Sequence, residues 1–348
     1  LRSMIKKLII FLLSIFILSS KSLSDIKLQK DFGILTLMYH RFNEQKYPST
    51  NIKLEVFKKQ VEEITKSGLK IISFDEFKNI IDQKSFAKKS ILLTIDDGFL
   101  SFYENGWPIF KENKIPFILF INTKNVGSHG YMDWEQLKEI SKFKFAKIGN
   151  HSHSHEYLLN MKKNEIIDDI KMSIKILKKN LNIEPDVFSY PFGEYDVDLM
   201  KIVENFGFEY AFGQHSGVIN FSSNNYELPR FPINEKYGDI NRFKSVINFL
   251  PFPYEKIVPE NKYLTANQNP PDVKITFFKN LINIKNMNCY SNEEDKWEKS
   301  NINFINDNEI NIKLRGKFIT ERGRINCSLM DKSGKWRWFG IQYVLEEN

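Results

Sequence analysis

Between residue 33 and about residue 249 the chain alternates short apolar runs rich in β-formers with longer stretches whose apolar positions recur at helical spacing. The strand-like runs are 34–38, 70–73, 91–95, 117–121, 146–148, 187–190 and 209–212, and amphipathic segments at 54–66, 74–82, 134–142 and 164–181 fall between them. This is the order of βα units wound around a parallel sheet. Seven strands with intervening helices fit an α/β fold of the distorted (β/α) barrel type better than an open sheet.

The pattern changes after residue 250, where Pro251, Pro253, Pro259, Pro270 and Pro271 predict a linker or surface-wrapping segment over 251–271. Alternating runs follow at 273–278, 302–305, 309–314, 324–330 and 335–345, with a turn at 331–334 and no helix of useful length between them. A small antiparallel, sandwich-like β domain over 272–348 is expected. It would follow a barrel over 25–250.

Composition adds three things. The first 24 residues separate from the rest, because Lys6 and Lys7 precede an eleven-residue apolar run, 8–18, with small Ser20 and Ser22 after it. That run is too short for a bilayer core of about 30 Å, which takes about twenty helical residues, and has the length of a secretory signal peptide. No stable membrane span is therefore expected, and the chain reads as exported, to the periplasm or beyond. Export in turn predicts that Cys289 and Cys327, the two cysteines of the chain, pair as a disulfide. The net charge of +7 comes from 50 basic and 43 acidic residues dispersed through every segment, without the basic stripe that nucleic-acid binding needs.

Three polar clusters follow three buried runs: Thr94-Ile95-Asp96-Asp97-Gly98, His151-Ser152-His153-Ser154-His155, and Ser189-Tyr190-Pro191-Phe192-Gly193. In parallel α/β barrels the C-terminal strand ends share one face, so all three can reach one pocket. Two imidazoles four residues apart can point at one ion, and a carboxylate would complete a three-ligand site with an open position for water. Adjacent Asp96 and Asp97 on an extended segment would diverge, one to the ion and one to the reacting water.

Together these motifs resemble the polysaccharide deacetylases of carbohydrate esterase family four, closest to their exported subgroup with a Tyr-Pro version of the third motif. The resemblance runs from residue 33 to about 249. It implies that Asp97, His151 and His155 bind a divalent metal, zinc before cobalt, nickel or iron, and that Asp96 is the general base. It also implies that Ser152 supports the loop by hydrogen bonding and that the Phe192 N–H, within Tyr190-Pro191-Phe192, faces the oxyanion. The implied reaction is attack of metal-activated water on an acetyl carbonyl, most simply an N-acetyl group. An acetylated polysaccharide is the expected substrate, with other polysaccharide-processing proteins as further partners and no nucleic acid.

Two departures from the family pattern stand out. The third motif usually carries an Arg where Ser189 stands, and Arg230, in Leu-Pro-Arg-Phe-Pro, is the candidate to supply that charge beside Asp96. The Leu-His pair that commonly gives the general acid is also missing, and His215, after the 209–212 run, is the candidate acid, with His40 as a competitor that could line the substrate cleft. His153 should point away from the metal, and His129 lies in a Gly-rich loop without a visible partner. Trp297, Trp336, Trp338 and Tyr343 would form a sugar-stacking platform if they face outward, or core if inward. A glycan-binding protein on a degenerate barrel, or a metal-dependent amidase acting on another C–N bond, are the alternative readings.

Overall fold

A computed structural model describes residues 29–346; the signal-peptide reading of residues 1–24 lies outside them. The chain first builds a nine-stranded sheet: β1 Ile34–Tyr39, β2 Lys70–Ile71, β3 Ser90–Ile95, β4 Phe117–Ile121, β5 Ala146–Asn150, β6 Val187–Ser189, β7 Tyr210–Phe212, β8 Val218–Ile219 and β9 Phe231–Pro232. Its order is β8-β1-β3-β4-β5-β6-β7, with β9 also on β1 and β2 on β3. All pairings but β8 on β1 are parallel. The central strands β1, β3 and β4 are buried at every position, as expected of a parallel sheet covered on both faces.

Amphipathic helices cover the outside: α1 Leu54–Lys66, α2 Phe74–Asp82, α3 Trp107–Asn113, α4 Trp134–Ser141, α5 Lys163–Leu181, α6 Val197–Asn205 and α7 Ile240–Val246. The starts of α2 and α4 are fixed by capping boxes, Ser73 with Glu76 and Asp133 with Gln136. The α2 cap is also why the predicted 70–73 strand stops at Ile71.

The sheet curls into a partly closed barrel whose seam lies between β7 and β1. Residues 228–233 bridge it: Leu228 exchanges backbone bonds with Ala211 and Gly213, and the Ile233 N–H bonds the Met38 carbonyl. Arg230 sits in the middle of that bridge, pointing inward and fully buried.

The C-terminal strands are β10 Lys256–Val258, β11 Tyr263–Leu264, β12 Val273–Thr276, β13 Asn288–Ser291, β14 Glu298–Lys299, β15 Asn301–Asn306, β16 Glu309–Lys313, β17 Arg322–Met330 and β18 Trp336–Leu345. They form two sheets, β10-β12-β16-β15 and β11-β18-β17-β13-β14. Val273, Ile275, Ile310 and Ile312 of one sheet share a core with Ile325, Leu329 and Ile341 of the other. Cys289 and Cys327 face each other directly across β13 and β17 and are joined by a disulfide.

The proline-rich stretch 251–271 is not a free linker. It contributes β10 and β11, and its Phe252, Ile257 and Leu264 belong to the C-terminal core, with the prolines placed where no ladder N–H is needed.

This β unit docks on the barrel through the even-numbered face of β17 and β18. Trp338 donates its indole N–H to Ser216 Oγ at 2.8 Å, Asn326 Oδ1 accepts from the same hydroxyl at 3.1 Å, and Gln342 Nε2 reaches the Gly193 carbonyl at 3.3 Å. Arg337, 3% exposed, donates to the carbonyls of Lys30 and Pro251 and pairs with Asp31.

Candidate metal centre and cleft

β3 delivers Asp96 and Asp97 to the barrel's C-terminal rim, but the two do not continue an extended strand. Asp97 and Gly98 both have φ of 75°, so the backbone turns sharply after Asp96 and separates the two carboxylates. A Cβ on Gly98 would come within 2.8 Å of Ile121 Cδ1, so the position needs glycine for space as well as conformation. Ser152, His155 and Phe192, from the other two motifs, also have positive φ, at 64°, 57° and 58°. Non-glycine residues held there mark a site whose surroundings over-determine it.

The loop after β5 is fixed from below. Ser152 Oγ accepts the His155 N–H at 3.0 Å, Asn150 Oδ1 accepts the Ser152 N–H at 2.8 Å, and buried Asp169 of α5 accepts the N–H groups of His153 and Ser154 at 2.7 and 3.0 Å. Asp169 was not singled out from the sequence. Its signal was present, because it lies on the buried stripe of α5 with Ile166, Ile170, Ser173 and Leu177, where a lone carboxylate needs a partner.

The result brings three donors together. Asp97 Oδ1 lies 3.0 Å from His155 Nε2 and 3.5 Å from His151 Nε2, and the ligand atoms of the three residues all fall within 4.8 Å of one another. His151 Nδ1 is 2.6 Å from the Ser189 carbonyl oxygen, to which it can only donate, so the Nε2 lone pair faces the cluster. Asp97 Oδ1 is buried and makes no hydrogen bond. A buried carboxylate oxygen without a proton donor, beside two imidazole nitrogens, is the donor set of a zinc-like ion, and these residues fit one. Burial would raise the Asp97 carboxyl, but His151 and His155 hold it well below the usual carboxylate range.

Asp96 is also fully buried, and Arg230 comes to it across the barrel seam. Arg230 Nη1 lies 2.7 Å from Asp96 Oδ1, Nη2 donates to Ser189 Oγ at 2.9 Å, and Nε donates to the Gly213 carbonyl at 2.9 Å. Burial would raise the Asp96 carboxyl; Arg230, with His151 and His40, brings it below its ordinary value. Asp96 Oδ2 remains 4.0 Å from His151 Nε2.

A cavity of about 740 Å³ opens over the cluster and is lined by Asp97, His151, His155, His40, Phe192 and His215 among others. The Phe192 ring is held between Tyr157, stacked at 4.1 Å, and His155, edge-on at 4.7 Å. Tyr190 and Pro191 are buried away from the cavity instead: the Tyr190 ring packs on Phe188 and Tyr195, and its hydroxyl donates to the Tyr226 carbonyl at 3.0 Å. Burial, then Lys262 and Arg230, push the His215 imidazole down to about 3, with Tyr195 Oη 3.3 Å from its Nδ1. Burial lowers His40 too, against the pull of Asp97 and Asp96. His153 turns to Thr123 Oγ1 at 2.8 Å, and His129 is exposed.

The four aromatics of the β unit divide. Tyr343 is core, and Trp336 is exposed at 39%. Trp338 and Trp297 line the cavity over the metal cluster, Trp338 stacked on Phe249 at 5.1 Å and 2°.

Residues 83–211 match the family model described as polysaccharide deacetylase. A poly-beta-1,6-N-acetyl-D-glucosamine N-deacetylase of Staphylococcus aureus (strain MRSA252) is 26% identical over 270 residues, 66% of this chain and 93% of that protein. A protein of the same name from Staphylococcus epidermidis is 25% identical over 191 residues, 51% of this chain and 66% of that one. Among solved structures, IcaB from Ammonifex degensii is similar with a TM-score of 0.56 and 24% identity over 62% of this chain and 97% of that one. The Streptococcus pyogenes deacetylase PplD follows at 0.54 and 22%, over 58% and 93%. At these identities the structures speak for the fold, and the sequence matches mark residues 83–211 as a polysaccharide deacetylase domain.

Proposed function

We propose that this chain removes acetyl groups, in the first place N-acetyl, from an acetylated polysaccharide. The single observation that supports this most is the convergence of Asp97, His151 and His155 around an otherwise unbonded buried oxygen, next to a second carboxylate, Asp96, held apart from it. In this reading the three residues hold a divalent cation, zinc before cobalt, nickel or iron. Such a cation, when bound, polarises the acetyl carbonyl and acidifies water.

The chain's own groups supply the rest. Asp96, kept ionised by the buried Arg230 ion pair at Oδ1, takes the proton from the attacking water at Oδ2, which otherwise accepts only a long 3.4 Å bond from Ser189 Oγ. The Phe192 N–H, presented by the left-handed turn, donates to the developing oxyanion. His215 was the sequence candidate for the acid, but its environment keeps the imidazole uncharged at neutral pH. We therefore assign it a positioning role, and Asp96 returns its proton to the sugar nitrogen as the C–N bond breaks.

Among the described residues no helix is long and apolar enough to cross a membrane. We assign the catalytic unit to residues 25–250, with the β unit as its accessory. The test is acetate release from a β-1,6-linked N-acetylglucosamine oligomer, the class of polymer named for the relatives. Asp96→Asn is expected to retain metal yet lose at least about a hundredfold in kcat, whereas His215→Asn loses far less. Full turnover by Asp96→Asn would refute the assignment.

A further inference from the structure

The sides of the cavity, built by the β unit and by the barrel segment through α7, differ in charge from its floor. Lys236, Arg242, Arg322 and Arg324 line the cavity, against a single carboxylate, Asp97, which the cation would engage. Arg322 is balanced, since its Nε donates to buried Glu194 at 2.6 Å. Among the described residues the other three form no ion pair with a carboxylate. Arg324 Nε donates to the neutral amide of Gln342 at 3.2 Å, and among the described residues no carboxylate forms an ion pair with it. Arg242 donates to the Tyr237 carbonyl and lies 5.0 Å over the Tyr237 ring, with Lys236 5.4 Å over the same ring.

Arg324 is held by its neighbours on β17 and β18 and is half-buried. A guanidinium offers five N–H donors in a planar fork that matches a carboxylate or phosphate with two parallel bonds. Withdrawing it from water without a counter-charge is unfavourable, and an arriving anion offsets that penalty. Beside it, Trp338 is fixed by Phe249 and Ser216, and with Trp297 offers ring faces to a sugar chain.

On the deacetylase reading above, on which this inference rests, we propose that the preferred substrate is an anionic acetylated glycan. A carboxylate or phosphate on a sugar near the acetylated one is gripped by Arg324, with Arg242 and Lys236 adding to the field. The class differs from the uncharged N-acetylglucosamine polymer named for the relatives. A cationic wall also suits this product better, because deacetylation leaves an amine: a neutral chain becomes a cation repelled by the wall, and an anionic chain becomes a zwitterion.

The experiment measures kcat/KM for acetate release by the metal-loaded full chain on three oligosaccharides of equal length: neutral, uronate-bearing and phosphate-bearing. At least one anionic substrate is expected to exceed the neutral one by roughly tenfold or more, through KM, with the advantage shrinking as salt rises. Arg324→Gln should bring that ratio to within about twofold of unity, and Arg324→Lys should keep part of it. Arg242→Gln, on a separate element, should lower the ratio less and serves if the Arg324 variants do not fold. Which anionic substrate wins separates carboxylate from phosphate recognition. A neutral substrate turned over as well as both anionic ones, or a ratio unmoved by every variant, overturns this inference alone. No acetate from any of the three overturns the deacetylase reading and this inference with it.

Discussion

The floor and the β-unit wall of the one cavity are built by opposite rules. On the floor the groups around the metal cluster are held by partners: Asp96 by Arg230, His151 by the Ser189 carbonyl, the His155 N–H by Ser152, and the loop below by Asp169. On the β side Trp297 is 49% exposed, and Arg324 has a neutral amide as its polar partner. The floor has the fixed geometry that chemistry on a small acetyl group needs, whereas the wall has the adjustable contacts that suit a long, variable polymer.

The comparison breaks most severely at Arg230. Arg230→Gln leaves Asp96 buried without its counter-charge, so unfolding free energy should fall by about 3–5 kcal/mol, with kcat lost as well. The same substitution at Arg324 should change stability by less than about 1 kcal/mol. Denaturant unfolding of both variants checks this, and equal losses would erase the distinction between the two sides.

Next in size is the disulfide. Cys289→Ser with Cys327→Ser opens a link across 38 residues and should lower stability by about 3–4 kcal/mol on the loop-entropy estimate. Because the bond lies in the β unit, loss of ordered wall should raise KM more than it lowers kcat. A fall in kcat alone would show that the floor depends on the disulfide and the wall does not. The smallest change, Trp338→Ala, removes one stacking face and should raise KM several-fold, about 1 kcal/mol, with kcat near that of the parent chain; steady-state kinetics on a glycan oligomer decide it.

Much of the floor was legible in the sequence because its motifs sit at strand ends and local spacing dictates them. The β runs behind Asp96, His151 and Ser189 read correctly to within a residue or two, since continuous apolar stretches between turn residues have few other uses. Arg230 could be named as a candidate, but the reason it arrives, a chain segment closing the barrel seam, depends on pairing between residues far apart in sequence. Strand β13, Asn-Cys-Tyr-Ser, was invisible for another reason: its polar residues carry no alternation, and cross-strand pairing with β17 makes it a strand. The wall was illegible as a site because nothing local reveals that the even face of β17 and β18 turns to the barrel. From the sequence Trp338 could equally have been core, and Arg324 a surface charge.

Asp97, His151 and His155 are proposed to hold one ion, and metal binding measured directly tests that best. Full-length protein, stripped of metal and titrated with Zn²⁺ or Co²⁺ in a calorimeter, should take up one ion per chain. Asp97→Ala, His151→Ala and His155→Ala should each weaken that binding by at least about a hundredfold. His153→Ala, whose ring faces Thr123, should bind as the parent does. Undiminished binding in the Asp97 and His155 variants, or loss in the His153 variant, would contradict the site.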